Sequence, residues 1–258
     1  MRGATAALAA AALLACGADG GSATAPPFTH AVVIVFENKD RAAITSTSAP
    51  NLVSLGRRYA RLTDYHSVAR PSLPNYLALV SGSTHGITSD CTRCTVTGET
   101  IGDQLTAAGR TWASYAEGYP SSPRFAKKHE PFLYFRQDVS HVQPLARFDP
   151  RRLPDFSLVV PDLCHDMHDC SIATGDRWLK KFVTPLLDIP DTVVFVVFDE
   201  GVHGDAVAAY ALGAAVRPGS IFTGRTSHYG LLRTLEDAWG LPPLGRAATA
   251  PPVSGIWR

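Results

Sequence analysis

Two carboxylate-bearing pairs, Glu37-Asn38 and Asp199-Glu200, each close a strongly apolar run, Ala31 to Phe36 and Thr192 to Phe198. Between them lies Ser72, bracketed by Pro71 and Pro74 and followed by the apolar residues Tyr76, Leu77 and Leu79. Proline is tolerated in a helix only in its first turn, so a helix is expected to begin here with Ser72 at or just before its N-terminus. The free N–H groups and positive dipole end of such a turn suit a phosphate or another oxyanion, and would hold the hydroxyl against an electrophilic phosphorus. Read alone, Ser72 is more commonly an N-cap bonded to its own backbone. Glu37, Asn38, Asp199 and Glu200 are hard oxygen donors, matched to a divalent ion such as Ca²⁺, Mg²⁺ or Mn²⁺. With Ser72 as a fifth ligand, such an ion would lower the hydroxyl's pKa and offset phosphate charge, giving a competent nucleophile near neutral pH. A single acidic pair could merely cap a helix or bind an arginine; two on apolar strands point to a site.

Histidines supply the proton-transfer groups. The segment Cys164-His165-Asp166-Met167-His168-Asp169-Cys170 holds two histidines and two aspartates in a short loop. His165 and His168 there, and His228 at the expected start of a last helix, are candidates to grip a phosphate or protonate a leaving oxygen. His66, His85, His129, His141 and His203 are read as structural or surface groups.

These residues need a scaffold whose strand ends share one edge. Apolar runs at 30–36, 156–160 and 192–198 look like central parallel strands buried on both faces, with further strand material at 62–68, 111–116 and 206–216. Helical spacing is expected over 51–61, 72–82, 99–109, 174–187 and 228–239. This alternation predicts an α/β fold, a three-layer α/β/α sandwich with a mostly parallel central sheet, in which ligands collect at the carboxyl ends of the strands. Residues 118–155, rich in Pro, Arg, Lys and aromatics without a clear period, read as an excursion that covers or shapes a pocket.

The 258 residues, 45% apolar with a formal charge of +1, can bury a full core, and the charge balance offers no basic surface for nucleic acid. An apolar run from Ala6 to Ala15 is too short to span a bilayer and reads as a secretory signal over 1–15. Leu13-Leu14-Ala15-Cys16 looks like a lipobox, making Cys16 a lipidation site and a membrane anchor, with ordinary cleavage and free secretion as the alternative. Residues 16–28 then form a flexible tether and 29–258 a single domain. Of five cysteines, the four beyond Cys16 fall into close pairs. In an oxidising compartment the expected disulfides are Cys91–Cys94 and Cys164–Cys170; a zinc site is the weaker alternative, since no second dithiol motif matches Cys91-Thr-Arg-Cys94.

Taken together, Val32-Val-Ile-Val-Phe-Glu-Asn38, Pro71-Ser-Leu-Pro-Asn-Tyr-Leu-Ala-Leu-Val-Ser-Gly82, Met167-His-Asp169, Phe198-Asp-Glu-Gly201 and His228-Tyr-Gly-Leu-Leu-Arg-Thr-Leu-Glu-Asp237 give a specific pattern. The chain resembles the bacterial phosphoesterase family of secreted acid phosphatases, phosphatidylinositol phosphate phosphatases and phospholipases C. The resemblance implies an alkaline-phosphatase-like fold, metal ligation by Glu37, Asn38, Asp199 and Glu200, transient phosphorylation of Ser72, and His168 near the phosphate. Asn75, in the same motif as Ser72, is expected to contact substrate. The chain departs from the family at Arg70, where histidine commonly precedes Pro-Ser, and after Gly201, where the segment looks shortened. Arg70 could still grip phosphate as a bidentate donor. Without large extra domains, a phosphomonoesterase is expected, acting on a phosphorylated small molecule or a phosphoinositide. The alternatives are a phosphodiesterase or phospholipase C, and a surface lipoprotein that binds anions without turnover.

Overall fold

A run of β-branched and aromatic residues pairs most cheaply where both faces of a strand are covered, and β1 (His30–Phe36) is buried along nearly its whole length. In this computed structural model, which describes residues 25–258, β1 lies between β6 (Phe156–Val160) and β7 (Thr192–Phe198), parallel to both. The sheet continues on one side through β4 (Trp112–Ala116) to β5 (Val142–Pro144). On the other it runs through β8 (Ala209–Leu212) and β2 (Ala60–Leu62) to β9 (Ser220–Phe222). Of these eight strands only β8 is antiparallel to its neighbours.

Helices cover both faces. Along β7, Phe198 and Phe195 are three residues apart and point to opposite sides. Phe198 meets Phe36, which packs edge-on to Trp178 of α4 (Ile172–Val183). Phe195 meets Phe28, itself against Trp239 of α5 (His228–Trp239). On the first face α4 packs beside α1 (Pro50–Arg58); on the second α5 packs beside α2 (Ser72–Ser81), which also touches α3 (Ile101–Ala107). The result is the three-layer α/β sandwich with a mostly parallel sheet that the alternating pattern predicts.

Several boundaries differ from expectation. The strand expected over 62–68 divides at a turn into β2 and β3 (Tyr65–His66), and β3 leaves the main sheet to pair with β10 (Thr226–Ser227). The strand expected over 206–216 shortens to β8 because Gly213 takes a positive φ of 107°, with no room for a side chain against the Thr192 carbonyl. The helix expected to reach Leu187 passes into a 3-10 turn at Pro185, which has no N–H to continue it. Phe28, expected in the tether, is buried against Phe195, Trp239 and Trp257, so ordered packing begins before residue 29. The expected signal segment and Cys16 lie outside the described residues. Both expected cysteine pairs are joined, with Cα atoms 5.8 Å apart for Cys91–Cys94 and 4.6 Å for Cys164–Cys170.

Candidate active site

The carboxyl ends of β1 and β7 lie side by side, in the register Phe36↔Phe198, so the two acidic pairs emerge together. Asn38 turns the chain sharply, with φ of 52°, a left-handed conformation that asparagine adopts more readily than most residues. The turn lets its backbone N–H donate to Asp199 Oδ1 at 2.9 Å, tying one strand tip to the other.

Ser72 is the first residue of α2 rather than its cap, which is Pro71. Its hydroxyl therefore does not close on its own backbone. It donates to Glu37 Oε2 at 3.1 Å, in a buried position. Tyr76, one turn further along α2, donates its hydroxyl to Glu37 Oε1. Asn38 Nδ2 adds a weaker contact to Glu37 Oε2 at 3.3 Å.

His129 completes this cluster. It comes from the aperiodic excursion, stacks on Tyr76 with ring centroids 5.4 Å apart, and is buried. Its Nε2 lies 3.1 Å from Glu37 Oε2 and its Nδ1 3.3 Å from Asp166 Oδ2. Burial opposes charge on the ring, but the Glu37 and Asp166 carboxylates outweigh it and raise the His129 pKa to about 10. Glu37 shows the reciprocal effect: burial pushes its pKa up, and His129 with the Tyr76 bond brings it below the ordinary value. Lys39 reaches in from the same turn and donates to the Met167 carbonyl at 2.8 Å. Burial lowers its pKa, against the pull of Asp166, Glu37 and Asp199.

Asp199 and Glu200 are differently placed. Asp199 is fully buried and its Oδ2 has no hydrogen-bond partner among the described residues; the same holds for Glu200 Oε2. Burial, then the nearby Glu37 charge, drives the Asp199 pKa well above the usual range and that of Glu200 up to about 7. Glu37 and Asp166 thus share the His129 cation, whereas Asp199 Oδ2 and Glu200 Oε2 are buried with no partner among the described residues. Orphaned buried carboxylate oxygens of this kind fit a hard divalent cation. Glu37, His129 and Asp166 bring their side-chain donor atoms within 4.8 Å of one another, with the charged His129 ring standing between the two carboxylates. Asp199 and Glu200 supply the unpartnered oxygens beside them.

The remaining expected site residues fall elsewhere or act differently. His168 stays in the neighbourhood, its ring 5.9 Å from that of His129 and its Nδ1 2.6 Å from Asp169 Oδ1. His165 is turned away. Its Nδ1 bonds Glu117 Oε2 at 2.9 Å and its ring stacks on Trp178, so it lines an aromatic groove instead of the acid cluster. His228, expected to meet substrate, is buried with both ring nitrogens engaged. Nε2–H donates to the Asp199 carbonyl at 2.7 Å, which makes Nδ1 the acceptor for the Tyr65 hydroxyl at 3.0 Å. Burial, only partly offset by that carbonyl, lowers its pKa to about 4, so it is a neutral brace behind Asp199. Asn75, also expected on substrate, accepts from the N–H groups of Val68 and Ala69 and donates to the carbonyls of Ala69 and Pro71, shaping the loop that delivers Ser72. Arg70 spends two donors on the Val202 and Gly204 carbonyls, at 2.8 and 2.7 Å, and so ties down the loop after Glu200.

The pattern of residues missed the roles of His129, Tyr76 and Lys39. His129 carries only a faint mark, a Lys-Lys-His-Glu run ahead of Pro-Phe-Leu inside a segment without period.

The chain matches the phosphoesterase family over residues 42–242, and it belongs to that family. It is 36% identical over 253 residues to a phosphatidylinositol-3-phosphatase of Mycobacterium tuberculosis, an alignment covering 90% of this chain and 84% of that protein. It is 28% identical over 229 residues to a phosphate-repressible acid phosphatase of Penicillium chrysogenum, covering 76% of this chain and 56% of that protein, so it spans little more than half of the fungal relative. A solved structure of a protein in the alkaline phosphatase superfamily from Vibrio parahaemolyticus superposes with a TM-score of 0.67 at 13% identity, over 87% of this chain and 70% of that one. The fold is accordingly alkaline-phosphatase-like, and the chain is a hydrolase of phosphate ester bonds.

Proposed function

We propose that this chain is a divalent-metal-dependent phosphomonoesterase in which Ser72 is transiently phosphorylated. The observation that carries the reading is the meeting of the Ser72 hydroxyl, through Glu37, with the unpartnered carboxylates of Asp199 and Glu200. Glu37, Asn38, Asp199 and Glu200, with the Ser72 oxygen, would hold the ion, Ca²⁺, Mg²⁺ or Mn²⁺. When bound, that ion lowers the pKa of a coordinated hydroxyl and neutralises charge on a phosphoryl group.

The chain's own residues do the rest. Glu37 Oε2 accepts the Ser72 hydroxyl hydrogen and orients Oγ for in-line attack on phosphorus. A bond forms from Oγ to phosphorus as the bond from phosphorus to the leaving oxygen breaks. His168, with Nδ1 held by Asp169 and Nε2 unbonded among the described residues, supplies the leaving oxygen's proton. The same ring then takes a proton from the water that attacks phosphoserine, and as the bond from phosphorus to Oγ breaks Glu37 returns its proton to Oγ, regenerating Ser72. His228 and Asn75 hold Asp199 and the Ser72 loop in place for this chemistry.

The named relatives favour acid phosphatase-like or phosphoinositide monoester substrates. We further read the protein as exported. Two disulfides suit an oxidising compartment, and the apolar run ending at Cys16 supports either lipid anchoring or free release. The test is phosphate release from a generic aryl phosphate by purified protein, with and without added divalent ions. Ser72→Ala should lower the rate by at least ~10³-fold with an unchanged circular dichroism spectrum. A Ser72→Ala protein that turns over at the normal rate would remove the nucleophile from this scheme.

A further inference from the structure

Beside Ser72, one first-turn N–H of α2 is already in use. Leu73 N–H donates to Asp90 Oδ1 at 3.0 Å, and Asp90 Oδ2 accepts from Lys128 Nζ at 2.9 Å. A carboxylate therefore bridges a helix N-terminal amide and an ammonium, one residue from the hydroxyl assigned as nucleophile. That is how two oxygens of a phosphoryl group would be gripped there.

The neighbours place this bridge on the site and not merely on the helix. Lys128 is adjacent in sequence to His129, which contacts Glu37 and Asp166. Leu73 follows Ser72 directly, so the bridge ends one residue from the hydroxyl that donates to Glu37. The bridge itself is at the mouth, with about a quarter of each side chain exposed, 26% for Asp90 and 24% for Lys128. Exchange with a solvent-borne anion needs no opening of the core.

The loop that carries Asp90 is held at both ends of a short span. Asp90 precedes the Cys91–Cys94 disulfide, and Lys127, next to Lys128, donates to the Thr92 carbonyl at 2.8 Å. Lys127 thus docks the loop, whereas Lys128 holds the carboxylate.

We propose that Lys128 and the Leu73 N–H are the phosphate-binding donors of this site, and that Asp90 occupies the phosphoryl position when substrate is absent. The substrate's phosphate displaces the Asp90 carboxylate and takes over both donors. Asp90 swings out on its exposed side, and its charge then competes with every phosphate that enters. This rests on the phosphomonoesterase reading for its choice of ligand, but its test does not depend on turnover.

Inorganic phosphate, the common product of monoester hydrolysis, is the probe, titrated by calorimetry in one divalent-ion buffer into the full protein and three variants. Lys128→Met should weaken phosphate binding about tenfold, the scale of one hydrogen bond to a charged group. Asp90→Asn keeps an acceptor for Leu73 N–H but removes the competing charge, and should tighten binding about tenfold. Lys127→Met, which loosens the same loop without touching the bridge, should bind as the parent does. Unchanged affinity in Lys128→Met, unchanged or weaker binding in Asp90→Asn, or equal losses in the two lysine variants would each overturn the proposal. Absence of phosphate binding in all four proteins would overturn it as well. The expected binding pattern without aryl phosphate hydrolysis would instead sink the phosphomonoesterase reading and leave this pocket standing.

Discussion

Two clusters in this molecule are built from the same residue types at the same edge of the sheet, and they behave as opposites. Glu117, Asp162 and His165 gather at the ends of β4 and β6, Glu117 and His165 partly exposed, with one oxygen of each carboxylate engaged and none buried without a partner. Glu117 Oε2 accepts from His165 and from the Asp162 N–H, and Asp162 Oδ1 accepts from the N–H groups of Cys164 and His165. Glu37, His129 and Asp166 gather at the end of β1, fully buried, against two further carboxylates that have oxygens with no partner. The first cluster folds the Cys164–Cys170 loop. The second leaves buried negative charge uncompensated, a state that costs stability unless a ligand relieves it. Residue type does not separate the two; burial of unpartnered oxygens does.

The largest effect that would break this contrast is at Asp199. Asp199→Asn and Glu200→Gln should each cost more activity than the ~10–100-fold typical of groups that only orient a ligand. In metal-free protein the same changes should leave stability equal or higher, because a strained carboxylate is removed. Chemical denaturation of the metal-free variants checks this, and a large loss of stability would place these acids among the ordinary structural ones.

The two histidines sharpen it next. His129→Ala strands Glu37 and Asp166 without their buried cation and should destabilise the fold by ~3–5 kcal/mol. His165→Ala removes a pair about a third exposed on the histidine side and should cost only ~0–1 kcal/mol. Urea midpoints of the two variants, measured side by side, separate the clusters directly.

Glu130 is an intermediate case. It is buried beside His129 but far from orphaned, accepting from Ser114 Oγ at 2.6 Å and from the Phe132 N–H. Burial, only partly offset by these bonds, raises its pKa from 4.5 to about 7. The folded state therefore holds this proton longer than the unfolded state does. Its contribution is favourable at low pH and is lost as pH rises from about 4.5 through about 7. Glu130→Gln should remove up to about 3 kcal/mol of that pH-dependent loss, read from denaturation curves at pH 4.5 and 7.5.

What the residues made legible follows from how far each signal travels along the chain. A strand buried on both faces needs an unbroken apolar run, so β1, β6 and β7 were plain, and so were the acids at two of their ends. The prolines around Ser72 fixed the start of α2 within a residue. His129 was hidden because nothing local holds it. Its position comes from stacking on Tyr76 and from the facing carboxylates of Glu37 and Asp166, contacts made only after the chain has folded. His228 and Asn75 misled in the other direction: both are chemically capable, and burial with saturated hydrogen bonds turned them into braces. The dipeptide Val202-His203 and Gly204 likewise gave no hint that Arg70 and Asp40 would pin them.

The most direct test of the account is an acid quench during turnover of an aryl phosphate in divalent-ion buffer, followed by peptide mapping. Phosphate should be found covalently on the peptide that carries Ser72, and should be missing when the protein is stripped of metal or carries Asp199→Asn. Rapid hydrolysis with no phosphate on Ser72 at any quench time, together with full activity in Ser72→Ala, would contradict it.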